Sequence, residues 1–99
     1  MIDLATVTGF DWDEGNSRKN EKHGVAKSES EQIFFNVPLL LLADEKHTAL
    51  ETRFHALGQT DSGRLLHITF TLRGQREKIR VISARDMHRK ERKTYEEAA

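Results

Sequence analysis

Apolar residues in this chain come in short blocks separated by long polar stretches, and the spacing differs from block to block. Residues 10–13 (FDWD) alternate apolar and acidic, which predicts a short strand with one buried face. Residues 13–23 (DEGNSRKNEKH) hold no apolar side chain. A helix there has no apolar stripe, so it must be held by Trp12 and Val25 at its ends and by Lys and Arg stems laid on the core. Asn16, or Asp13 before it, can cap its start, and Gly24 can end it in the left-handed conformation. Ser28 and Glu31 read as a capping box with Ser28 at the cap. It opens a short second helix through Ile33, Phe34 and Phe35 that stops before Pro38.

The second half reads as strands. Residues 39–43 are a continuous apolar run, which predicts a strand buried on both faces. Residues 53–57 and 64–72 form a predicted hairpin across the turn-rich segment 58–63, punctuated by Gly58 and Gly63. In its second arm Leu66, Ile68, Phe70 and Leu72 share one face, and His67, Thr69 and Thr71 share the other. A polar loop, 73–78, leads to a strand over 79–84. Asp86 then caps a last helix over 88–97, with Met87, Glu91, Tyr95 and Ala98 on its inner stripe. Helices and strands are segregated, so the predicted class is α+β: two N-terminal helices packed on a twisted antiparallel sheet of four or five strands, plus a C-terminal helix. Residues 1–9 read as a leader with a frayed end, and residues 10–99 as one domain.

Composition narrows the class. At 99 residues, with 36% hydrophobic and 32% charged, the chain suits one small core. The absence of cysteine excludes disulfides, thiol chemistry and Cys-ligated zinc, and fits a reducing cytoplasm. The longest apolar block, 39–43, is too short for a membrane span or a signal peptide. The net charge of zero is a cancellation. Residues 64–93 hold ten Lys and Arg against three acids, or +7; residues 1–63 hold six against eleven, or −5; the last six residues add −2. Cations gathered on one part of a small domain set up a local field for phosphate whatever the total.

These residues carry a family resemblance. FDWDEG (10–15), Lys19 with Asn20, KHGV (22–25) and Phe34 with Phe35 are similar to the opening block of the BrnT toxins. DEKH (44–47), Glu51 with Arg53 and Phe54, ALG (56–58), GRL (63–65), Phe70 with Thr71, RVISARD (80–86), and Arg89, Arg92 and Tyr95 at three-residue steps extend the likeness to nearly the whole chain. The resemblance implies a RelE-like fold and a type II toxin, a metal-independent endoribonuclease that arrests translation. It also implies a ribbon-helix-helix antitoxin of the BrnA kind, a heterotetramer with it, and binding of the operon's own promoter through the antitoxin's DNA contacts. Three positions depart from the family pattern. Ala26 stands where a Ser begins the second helix, a cap Ser28 can take over. Leu50 stands in a loop place often held by Gly, and Ser30 replaces a helix-facing Ala at small cost.

Metal-free RNA cleavage needs a base for the 2′-hydroxyl, a proton for the leaving 5′-oxygen and cations for the phosphorane. No cofactor or metal is expected. His, with a pKa near 6.5, suits the first two tasks, and Arg or Lys the third. Asn16, Lys19, Asn20 and His23 fall at i, i+3, i+4 and i+7, one polar face of the first helix. That face is either a solvated helix end or a site in which His23 moves a proton, with Lys22 on a neighbouring face to stabilise charge. Arg80 alternates with Ile79 and Val81 inside an apolar strand and shares a face with Ile82. It is either solvated or placed to hold an anion, the latter if His67, Thr69 and Thr71 lie on its face. Arg64 and Arg85, at strand ends, complete the expected phosphate grip. Arg89 and Arg92, with Lys19, are either charged surface or contacts to RNA backbone, and the last helix could equally meet an acidic part of the antitoxin. His47, His55, His67 and His88 show no metal-binding spacing, and Trp12 reads as a packing anchor. A second class stays open: a non-catalytic module that binds the antitoxin and co-regulates DNA through it. Direct DNA binding is weaker, because no helix-turn-helix pattern is visible.

Overall fold

Strands in which apolar residues alternate with polar ones build the centre of the fold. The computed structural model describes residues 4–44 and 51–98, with backbone only for residues 19–21. β3 (Arg53–Gln59), β4 (Leu65–Arg73) and β5 (Lys78–Asp86) form an antiparallel meander, and β2 (Leu40–Asp44) adds to the outer side of β3. β1 (Gly9–Phe10) lies parallel to β5, giving a five-stranded sheet in the order β1-β5-β4-β3-β2. The sheet is therefore mixed and not purely antiparallel as expected. The free edge of β5 accepts the incoming chain: Glu77 and Ile79 carbonyls take the Thr8 and Asp11 N–H groups at 2.8 Å each. Leu4 and Val7 also pack on the core, so from Leu4 onward the segment read as a frayed leader is docked. The expected α+β class holds, with α1 (Glu14–Glu21), α2 (Lys27–Gln32) and the C-terminal α3 (Arg89–Ala98).

One face of the sheet makes the main core. Leu66, Ile68 and Phe70 share it as the alternation predicts, with Phe54, Ala56, Ile79, Val81 and Ala84 beside them, under Val25 and Ile33. Between Thr69 and Phe70 the partner on β5 jumps from Ser83 to Val81, so Ile82 is an extra residue, a bulge that keeps both Val81 and Ala84 on the core face. Thr71 departs from a solvated face: it is buried, and its hydroxyl donates to the Thr52 carbonyl at 2.6 Å. β2 corrects a second expectation. Leu41 packs on the main core and Leu40 on the opposite face, but at this sheet edge Leu42 is 58% exposed and Ala43 is exposed too, so the run is buried only at its start.

The helices form where expected but are held differently. Asp13 caps α1, its carboxylate accepting the Asn16 N–H at 3.1 Å, while Asn16 Oδ1 accepts the Asp13 N–H at 2.7 Å. Asn16 is itself buried and donates to the Asp11 and Val81 carbonyls at 3.0 Å each, so a polar residue anchors this stripeless helix to β5. Arg18 lies outside and pairs with Glu14 instead of laying its stem on the core. Gly24 adopts φ +69° as predicted. α2 starts two residues earlier than the Ser28 cap would place it: Ala26 is the cap residue, and Glu29 accepts its N–H at 3.0 Å. Ile33–Phe35 continues as a 3-10 turn that crosses β3 at Gly58, where an added Cβ would stand 2.9 Å from Ile33 Cβ. Gly58 is thus a strand residue at a close crossing, whereas Gly63, at φ +89°, is the turn glycine.

α3 packs over the other end of the sheet through Tyr95 and Met87 against Leu57, Leu40 and Leu65, and the Tyr95 hydroxyl donates to the Pro38 carbonyl at 2.7 Å. Glu91 reaches back to the His88 N–H at 2.8 Å and caps this helix. Asp86, expected there, is held by Arg64, and Ala98 is exposed, not on the inner stripe. Among the described residues no helix is long and apolar enough to cross a membrane.

Candidate functional site

Among the described residues the face of the sheet opposite the main core is only partly covered: His55, His67, Thr69, Arg80, Ser83 and Arg85 are half-buried on it. Cross-strand pairing lines it up: Leu57 with His67, His55 with Thr69 and Arg53 with Thr71 between β3 and β4, then His67 with Arg85, Thr69 with Ser83 and Thr71 with Arg80 between β4 and β5. Residues directly opposite in an antiparallel pair share a face. Arg80 and Arg85 therefore lie on the face that carries His67, Thr69 and Thr71, the condition under which Arg80 can meet an anion. Ile82 does not continue their alternation, because it is the bulge residue.

Each of these arginines is engaged. Arg80 pairs with Asp13 at 2.9 Å and Asp11 at 3.4 Å, both from the segment between β1 and α1. The Asp13 carboxyl is held below its ordinary range, first by the Asn16 N–H and then by Arg80. Arg85 makes a two-pronged pair with Glu91, at 2.8 and 3.0 Å. That pair, with the His88 N–H, brings the Glu91 carboxyl down to about 2 against the cost of its partial burial.

A row of hydrogen-bonded side chains crosses the same face. Asp44 Oδ2 lies 3.0 Å from His55 Nε2, and His55 Nδ1 lies 2.9 Å from His67 Nε2 and 3.1 Å from the Thr69 hydroxyl. His67 Nδ1 then stands 3.7 Å from Glu91 Oε2. Burial, reinforced by the Arg85 charge, pushes the His67 imidazole down to about 4, so it is neutral at neutral pH. The two rings and Glu91 border a cleft of about 320 Å³ whose remaining walls are Leu42, Leu57, Lys90 and Thr94.

The other expected site residues lie elsewhere. Arg64, at the start of β4, clamps three elements together. It binds Asp86 with two nitrogens at 2.8 and 3.1 Å, the Gly24 carbonyl at 3.0 Å and Glu29 at 3.1 Å. Lys22 and His23 are exposed in the turn that ends at Gly24, so Arg64 ties their backbone to the end of β5. The expected polar face of α1 is not one surface: Asn16 turns into β5, and His23 lies beyond the helix end. The side chains of Lys19 and Asn20 lie outside the described residues, as do His47 and Leu50. Among the described residues no hydrogen bond or ion pair joins the turn at Lys22 and His23 to Arg80 or Arg85. Arg89 and Arg92 are exposed on α3 and, with Lys90, Lys93 and Glu96, border a second shallow cleft. Trp12 packs on the core and donates to Glu31 at 2.8 Å, the anchor it was read to be.

Sequence reasoning missed Asp44 and His55 and passed over His67. Alternation alone put His67 beside Thr69 and Thr71; that His55 and Asp44 meet it depends on the register of three strands.

The family model described as "Ribonuclease toxin, BrnT, of type II toxin-antitoxin system" matches residues 12–91, a span from Trp12 to Glu91 that takes in both arginine clusters and the histidine pair. No curated protein matches the chain.

Proposed function

The chain belongs to the BrnT family of ribonuclease toxins of type II toxin-antitoxin systems, and from that premise we propose that it is a RelE-like, metal-independent endoribonuclease working on the open face of its sheet. One observation carries the placement: Arg80 and Arg85 share an incompletely covered face with His67, Thr69 and Ser83. In this reading the two guanidiniums grip the scissile phosphate, exchanging their carboxylate partners for phosphate oxygens as RNA enters. Arg64, held at the end of β5, supports that grip, and Lys22 and His23 act from the neighbouring turn on charge and proton. Lys19, Arg89 and Arg92 hold RNA backbone. The 2′-hydroxyl loses its proton, the 2′-oxygen attacks phosphorus, and the 5′-oxygen leaves with a proton, giving a 2′,3′-cyclic phosphate. Cleavage in the cytoplasm inhibits translation. A BrnA-like ribbon-helix-helix antitoxin neutralises the toxin in a heterotetramer, which meets its own promoter through the antitoxin.

Single-turnover cleavage of RNA by the purified chain tests this. Arg80→Ala is expected to lose about 10²–10³ in rate, the usual cost of removing a charge-stabilising donor. Parent rates in both Arg80→Ala and His23→Ala would show that the site is misplaced. Activity that disappears in EDTA would overturn the metal-free route.

A second reading draws on the ion pairs. Arg64, Arg80 and Arg85 all carry carboxylates, and Phe35 and Val37 are 78% and 82% exposed, a surface suited to a partner. A sample that binds its antitoxin tightly yet leaves RNA intact would favour a non-catalytic co-regulator.

A further inference from the structure

The histidine pair gives the open face an ordered set of hydrogen bonds, and their directions follow from the partners. A carboxylate on Asp44 can only accept, and that role leaves His55 Nε2 to carry the hydrogen between them. In the His55 tautomer whose hydrogen sits on Nε2, Nδ1 is a bare lone pair. It receives a hydrogen from His67 Nε2 at 2.9 Å, and the Thr69 hydroxyl stands at 3.1 Å to support the same atom. With His67 neutral in turn, its remaining nitrogen, Nδ1, carries no hydrogen. A carboxylate at one end of the row thus decides the tautomer of a ring two strands away.

We infer that His67 is a catalytic residue of the RNA-cleavage reaction, accepting the 2′-hydroxyl proton on Nδ1, with His55 and Asp44 as the residues that position it. The inference rests on the open-face reading above and adds the group that reading leaves unassigned on this face. His67 borders the cleft, its main-chain neighbour across β5 is the phosphate-gripping Arg85, and its one unprotonated nitrogen is the one not occupied by His55. In the step itself the 2′ O–H bond breaks and the proton passes to Nδ1. The 2′-oxygen forms a bond to phosphorus as the P–O5′ bond breaks, the 5′-oxygen takes a proton by way of the exposed His23, which solvent resupplies, and the His67 imidazolium returns its own to solvent.

The groups facing His67 are His55 from β3, Arg85 and His88 from β5 and the segment after it, and Glu91 from α3, with Lys90 on the cleft wall. Glu91 is a poor competitor for the role, because Arg85 and the His88 N–H hold its carboxylate too firmly to take a proton at neutral pH. Burial and Arg85 keep His67 in the basic form to well below pH 6.5. Glu91, 3.7 Å from Nδ1, is placed to steady the imidazolium once the proton arrives.

The test is the pH–rate profile of single-turnover RNA cleavage by the full chain, alongside affinity for a 2′-O-methyl RNA that cannot be cut. The parent is expected to show an acid limb near pH 4, where His67 takes up its proton. His67→Gln should lose about a hundredfold or more in rate and the limb with it, while holding the uncleavable RNA as before. Asp44→Asn should lose about tenfold and displace the limb, because His55 can then take either tautomer. A folded His67→Gln that cleaves at the parent rate with the parent limb overturns the inference; if Arg80→Ala is impaired in that same experiment, the open-face reading survives. Imidazole ¹⁵N shifts of the unmodified protein decide the matter without any variant. An unprotonated Nδ1 on His67 supports the assignment, and a protonated one at neutral pH sinks it.

Discussion

Ser30 places a hydroxyl at a fully buried position of α2, where it has no hydrogen-bond partner among the described residues. A buried polar group left unpaired costs about 1–3 kcal/mol, so this Ser is less innocuous than its small size implies. Ser30→Ala is expected to raise unfolding stability by about 1 kcal/mol, read as a higher urea midpoint at unchanged m-value. An unchanged or lower midpoint would mean that the hydroxyl is satisfied. The sequence showed the residue type but not the burial, because burial depends on how α2 is rotated on the sheet. The same holds for Gly58, whose role at a close crossing needed Ile33 to be put in place. It holds for Arg64 too: from the chain alone it was one of several strand-end cations, and only the fold brought Asp86, Glu29 and the Gly24 carbonyl around it.

Among the elements, α1 is the one whose existence was hardest to justify and whose anchoring is most specific. It has no apolar stripe, yet it docks because Asn16 spends its amide on the Asp11 and Val81 carbonyls. Asn16→Ala would leave buried backbone groups unpaired at the seam between α1 and β5. A loss of about 2–3 kcal/mol is expected, with hydrogen-exchange protection falling first in α1 and the Asp11 segment. Protection that falls evenly across the sheet would show that α1 docks by other contacts. Capping residues and alternation made the helices and the β3–β4 hairpin legible, since both signals are local. Their details slipped where a distant partner competed. Arg64 takes Asp86 from the cap of α3, Ala26 and Glu29 take over the start of α2, and among the described residues β2 is the last strand of the sheet, which leaves Leu42 exposed.

At the scale of the whole molecule, stability should depend on pH through the His67 and Glu91 pair. His67 is pushed down from 6.5 to about 4, so the unfolded chain binds its proton first as pH falls. Its contribution is intact above pH 6.5 and is lost progressively down to about 4, for about 3 kcal/mol. Glu91, down from 4.5 to about 2, adds a second loss as pH falls through that lower range. His67→Gln should flatten the upper window and leave the lower one, measured as urea midpoints across pH; an undiminished upper window would assign it to other groups. The charge asymmetry is recast at this scale as well. Asp11 and Asp13 come back onto Arg80 and Glu29 onto Arg64, while Glu91 pairs with Arg85 within the basic window itself; Arg89 and Arg92 on α3 stay exposed. By itself the sequence determined the α+β class, the helix and strand periods, the family and a pair of arginines on one strand, because each of these is written in local spacing or in matching blocks. The tertiary structure alone decided the parallel β1, the arginine clamps and the row from Asp44 through His55 to His67, because strand register and helix docking bring together residues that no local spacing relates.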